Sequence, residues 1–142
     1  MGIEMRGMAP LLQVFDMRAS IAFYCAVLGF EIAANSPPRE EVLFHWALLK
    51  RDGIELMLNT AYDEGQRPDV PDARRVAAHG DTGLFIGCPD VDAAYAYLRE
   101  KGVTKTPPTV APYGMKQLYI QDPDGYGLCF QWTVKEQVTA SA

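Results

Sequence analysis

Long apolar runs are missing from this 142-residue chain, as are a cysteine framework, a histidine cluster and an excess of positive charge. The longest uninterrupted apolar stretches are a few residues, far short of the ~20 that a helix needs to cross a bilayer. Cys25, Cys88 and Cys129 are odd in number, widely spaced and include no C-x-x-C, and His45 and His79 stand far apart. That pattern argues against a disulfide scaffold and against a zinc finger or ribbon. A net charge of −5 disfavours nucleic acid and anionic lipid as partners, since both call for a basic surface. The opening MGIEMRGMAP shows no basic segment followed by an apolar one, so residence in the cytoplasm is expected.

What is present is the composition of a globular domain: 49% hydrophobic and 22% charged residues. The run 9–15, APLLQVF, reads as a strand. Asp16 then caps a helix over MRASIAFYCAVLGF, in which Ile21, Tyr24, Ala26, Val27 and Leu28 follow helical spacing and Gly29 is the stop. FEIAAN is a returning strand, ended by Ser36-Pro37-Pro38. EVLFHWALLK and GIELMLNT, joined through Arg51-Asp52-Gly53, form a hairpin. A stretch rich in Pro, Asp, Gly and Arg (60–79) reads as a linker or arm.

After the arm the order returns. TGLFIGC is a strand, Asp90 caps VDAAYAYLREKG, VTKTPPTV is a Pro-broken edge strand, and GMKQLYIQ and YGLCFQWTV close through Asp122-Pro123-Asp124-Gly125. Both helices have an Asp cap, small residues in the second turn, aromatics in the third and a glycine at the end. The reading is a single domain over 1–142, made of a duplicated βαβββ module at 9–59 and 80–134. The tail KEQVTASA is expected to fray.

Taken together, FDMRASIAFYCAVLGFEI, GIELML, CPDVDAAYAYLREKG and QDPDGYGLCF resemble the vicinal oxygen chelate superfamily. That superfamily includes glyoxalase I, extradiol dioxygenases and the bleomycin- and fosfomycin-resistance proteins. The resemblance implies an α+β fold in which tandem βαβββ modules form a curled mixed sheet around a concave cleft, usually in a homodimer. Function in the family lies in that cleft and ranges from metal catalysis to drug sequestration, so the fold does not fix the chemistry.

In the metal-dependent members, ligands come from the first and fourth strands of each module. Carried onto this sequence, those positions are Ala9, Glu55, Gly83 and Cys129. Only Glu55 is an oxygen ligand, whereas a hard divalent ion wants several oxygen or imidazole donors. A one-residue slip would bring in Gln13 or Thr82 without completing a set. No cofactor is therefore expected; a divalent metal enters only under the alternative of a lyase, isomerase or dioxygenase using Glu55.

Strand alternation supplies the rest of the expected site. With Leu48 placed opposite Glu55, the residues Phe44, Trp46, Glu55 and Met57 share the cleft face, and His45, Ala47, Leu56 and Leu58 pack on the helix. The second hairpin puts Gln117, Tyr119, Cys129 and Gln131 in the cleft and Trp132 on the other face. No catalytic residue is assigned. Glu55 is the candidate, as a partner for a ligand cation or as a general base. Cys129 has no base to activate it and reads as packing; Cys25 reads as core, and Cys88 has no partner. His45 reads as a buried structural histidine, His79 as part of the arm, and Arg74-Arg75 as a solvated turn or a dimer contact. The function expected is metal-independent binding of an amphipathic or aromatic small molecule.

Overall fold

The computed structural model describes residues 1–134, so the tail expected to fray lies outside the described residues. The chain divides into two compact units, Met1–Pro71 and Asp72–Ala142. Each carries one mixed four-stranded sheet, with strand orders β1-β4-β3-β2 and β5-β8-β7-β6.

In the first unit β1 (Leu11–Val14) lies parallel to β4 (Ile54–Thr60), which pairs antiparallel with β3 (Trp46–Arg51) and through it with β2 (Glu31–Asn35). The Asp16 carboxylate accepts the Arg18 and Ala19 N–H groups at 3.0 and 3.3 Å, which starts α1 (Met17–Ile21). The helix does not continue in α form as its apolar spacing predicts. It widens into a π-helical segment, Ala22–Val27, where the Leu28 N–H reaches the Phe23 carbonyl five residues back. Tyr24, fully buried, sits edge-on to both Phe23 and Phe30 at this point. Met17 and Ser20 are buried on the same helix, while Ala26 is exposed and Ile21 half-buried.

Leu12, Val14, Ala47, Leu49, Leu56 and Leu58 alternate along the strands as the buried face. The loop between β3 and β4 is Asp52-Gly53, with φ of 48° and 83°, the pair of left-handed residues that a two-residue I′ hairpin needs. It pairs Lys50 with Glu55 and Leu48 with Met57, so the expected opposition of Leu48 and Glu55 is displaced by two residues. A two-residue displacement preserves face, so Trp46, Glu55 and Met57 still share one. Phe44 stands outside that register. Leu43 takes φ 73° and bridges back to Arg39, and β3 begins at Trp46, so Phe44, 5% exposed, lies just before the paired strand.

In the second unit β5 (Gly83–Gly87) lies parallel to β8 (Gly127–Thr133), which pairs with β7 (Met115–Gln121). The Pro-rich edge shrinks to β6, Thr109–Val110. Asp90 accepts the Ala93 N–H at 2.9 Å and opens α3 (Val91–Glu100), which buries Val91 and Leu98. Gly102, at φ 77°, closes it as the Val103 N–H reaches the Leu98 carbonyl.

The arm is where the expectation needs most correction, because it contains a helix, α2 (Ala73–His79), capped by Asp72. This helix seats on the DPDG turn. The Asp122 carboxylate accepts the N–H groups of Asp124 and Tyr126 at 2.8 and 3.0 Å, folding the loop on itself. His79 stacks on Tyr126 at 3.9 Å between centroids, and its Nδ1 lies 2.8 Å from the Asp124 carbonyl. Gly125, at φ 84°, comes so close that an added Cβ would stand 2.8 Å from the Val76 carbonyl oxygen and 2.9 Å from its Cγ1. Two reasons for glycine coincide there, conformation and space. We expect Gly125→Ala to lower unfolding stability by about 2 kcal/mol or more in denaturant titration. An unchanged midpoint would mean that α2 does not press on the turn.

Candidate functional site

A mixed sheet with helices on one side leaves its other side to be explained. In the first unit that open face carries Leu11, Gln13, Trp46, Leu48, Lys50, Glu55, Met57 and Asn59, by alternation and register. Gln13 accepts from the Asn59 amide at 3.2 Å across the β1–β4 seam. Glu55 is paired with Lys50 at 3.2 Å, at the charged end of the hairpin. A depression of about 360 Å³ there is lined by Gly29, Glu31, Lys50, Arg51 and Glu55, and it includes neither Trp46 nor Met57. The carboxylate therefore belongs to the hairpin tip, away from the aromatic part of its own face. His45 is half-buried and its Nδ1 lies 2.8 Å from the Thr60 hydroxyl, which gives it a structural partner.

In the second unit the open face is richer. Register places Tyr119 opposite Cys129, Gln117 opposite Gln131, and Phe85 beside Cys129 on its other flank. All four residues expected there from the second hairpin share one face. Phe85 joins them, and its ring stands edge-on to Tyr119 at 6.2 Å and 88°. Both rings are more than half exposed, at 56% and 54%. Trp132 lies on the opposite face with Leu118, Leu128 and Phe130 and is half-buried.

Gln117 organises this face. It is 5% exposed, and its amide nitrogen donates to the Tyr113 hydroxyl at 2.8 Å and to the Gln131 carbonyl oxygen at 2.9 Å. Its own carbonyl oxygen accepts from the Tyr119 hydroxyl at 3.3 Å. A buried amide with unmet partners would be costly, and this one has all of its groups engaged. Tyr113 and Phe85 were not among the expected site residues. Phe85 was legible, being two residues along the strand from Gly83. Tyr113 sits in the loop before β7, where alternation gives no guidance.

The positions that hold metal in relatives do not hold a set of donors here. Continuing the β1–β4 register by two residues puts Ala9 beside Glu55. In the second unit Gly83 pairs with Gly127, and Phe85, not Gly83, flanks Cys129. Among the described residues no three His, Cys, Asp or Glu side chains are grouped so as to share an ion. Within each unit the donors are too few for a hard divalent cation: Glu55 is ion-paired with alanine beside it, and Cys129 is a buried thiol with phenylalanine beside it.

Cys129 is 1% exposed, and burial pushes its thiol above the usual range, with the Tyr119 hydroxyl acting the other way. Cys25 is half-buried rather than core, and burial raises it too; the same holds for Cys88 beside Asp90. None is set up as a nucleophile. Because every shift is upward, all three stay protonated at neutral pH. We expect a disulfide reagent at pH 7 to label the native protein more slowly than the denatured one, with Cys129 last by mass mapping. Fast labelling of Cys129 would reveal an activated thiolate.

Among the described residues no helix is long and apolar enough to cross a membrane. No curated protein matches the chain. Solved structures do. TnmS3, an antibiotic binding protein from Streptomyces sp. CB03234, superposes with a TM-score of 0.68 at 24% identity, over 93% of this chain and 99% of that one. SMU.1112c gives 0.67 at 26% identity, over 91% and 100%. A glyoxalase/bleomycin resistance protein, also from Streptomyces sp. CB03234, gives 0.60 at 25%, over 88% and 100%. The family model of the Glyoxalase/Bleomycin resistance protein/Dioxygenase superfamily matches residues 8–130. The fold and this match agree, and the chain belongs to that superfamily.

Proposed function

We propose that this protein is a metal-independent, cytoplasmic binder of aromatic or amphipathic small molecules, acting as a homodimer. The observation that carries the reading is the open face of the second sheet, where two exposed rings stand over a fully bonded amide network. Exposed aromatics fixed on strands offer large contact area at little further loss of freedom, which suits a planar guest. The antibiotic binding recorded for TnmS3 points to the same class of occupant. Metal independence rests on the donor chemistry described above, and the homodimer on the family resemblance.

Three measurements test this. Calorimetric titration with a panel of neutral and cationic aromatic antibiotics should find saturable binding by at least one, weakened about tenfold or more by Phe85→Ala. Glu55→Ala should leave that affinity within about twofold, since its carboxylate is held by Lys50 at the hairpin tip. Elemental analysis of protein purified without chelator should find far less than one divalent ion per chain. A stoichiometric ion would instead favour the metal-dependent lyase, isomerase or dioxygenase. A monomer by light scattering would remove the homodimer.

A further inference from the structure

We infer that the open face of the second sheet selects neutral planar ligands bearing a hydrogen-bond acceptor, such as an aryl ketone, directed at Gln131 and Tyr113. This rests on the binding role proposed above and specifies its ligand class.

The argument is a count of donors and acceptors around one buried amide. Both N–H groups of Gln117 are spent, one on the Tyr113 hydroxyl oxygen and one on the Gln131 carbonyl oxygen. Those two bonds set the direction of everything next to them. Gln131, with its oxygen taken, has its NH2 group left to donate. Tyr113 accepts from Gln117, so its own O–H is left to donate, and with 65% of the residue exposed it faces solvent. The Tyr119 hydroxyl donates its proton inward to Gln117, and the Cys129 thiol is directed at the Phe130 carbonyl at 3.9 Å. The protons that the network turns outward therefore sit on two groups, the Gln131 NH2 and the Tyr113 hydroxyl, whose oxygens both accept from the same Gln117 nitrogen, and the acceptor capacity left is that of oxygens already engaged in the network.

The rings of Phe85 and Tyr119 border these donors on the same face. None of Phe85, Tyr113, Gln117, Tyr119, Cys129 and Gln131 carries a formal charge at neutral pH, because burial and neighbouring groups raise both the Tyr119 and Cys129 acids further. A charged ligand group would leave water there without a counter-charge, and a donor group would find only oxygens already engaged in the network. A carbonyl oxygen has two lone pairs and can take both bonds. A flat aromatic body with a carbonyl at its edge satisfies the rings and the donors together.

Fluorenone, fluorene and carbazole test this on the full chain by equilibrium dialysis. They are tricyclic molecules of nearly the same shape that carry an acceptor, nothing polar and a donor at the bridge. The expected result is fluorenone bound about tenfold more tightly than the other two, the amount that one or two good hydrogen bonds supply. Gln131→Glu keeps the bond from Gln117 but removes the outward donor, and Tyr113→Phe removes the other. Each should erase most of the preference for fluorenone, read as the ratio of fluorenone to fluorene affinity within the same variant. Phe85→Ala should weaken all three compounds alike. Equal affinity for the three would overturn acceptor selection and leave aromatic binding standing. Tighter binding of carbazole would overturn it by showing the network polarised the other way. Binding of none up to the solubility limit would overturn the proposed function and this inference with it.

Discussion

Everything described here depends on the alternation of side chains across a half-covered sheet. A strand of period two delivers every second residue to each side, and helices can cover only one of them. In this protein the covered side takes leucine, valine and alanine down to complete burial: Val14, Ala47, Leu49 and Leu58 have no exposed surface. The other side is thereby released from packing and can carry chemistry. The same constraint makes the open faces predictable in kind, because a one-residue slip would bury Glu55 or Gln117's neighbours and expose leucines.

The two modules use that freedom differently. The first face mixes a tryptophan, a methionine and an amide pair with a lysine–glutamate pair at its tip. The second face is uncharged and organised around one buried glutamine whose bonds reach three neighbours. Both units keep the same scaffold, down to the aspartate cap and closing glycine of each helix, while their faces differ. At the four positions that the family resemblance gives to metal ligands this chain has alanine, an ion-paired glutamate, glycine and a buried thiol.

Much of this was legible from residues alone, for identifiable reasons. Asp16, Asp90, Gly29 and Gly102 mark helix ends by local chemistry, and local chemistry does not depend on tertiary context. Asp52-Gly53 fixed parity in the first hairpin even though the pairing expected across it was two residues off. The strand expected to run through Phe44 begins only at Trp46, after a positive φ at Leu43, and a leucine gives no warning of that conformation. Helix α2 was hidden in a stretch full of proline and aspartate. Its seven residues are too few to show a period, and what holds it is contact with a distant turn, through Val76 and His79. Tyr113 joins the site from a loop by a hydrogen bond, which no periodicity reports.

The central claim is that the second sheet's open face receives a small aromatic molecule. Its most direct test is amide and side-chain NMR of the isotopically labelled protein during titration with a compound that binds. The account predicts shifts concentrated on Phe85, Tyr119 and the side-chain NH2 groups of Gln117 and Gln131, with α3 and the helix-side residues Leu118 and Leu128 little changed. Shifts centred on α3 or on the hairpin tip around Lys50 and Glu55, with the Gln117 and Gln131 side chains unmoved, would contradict it.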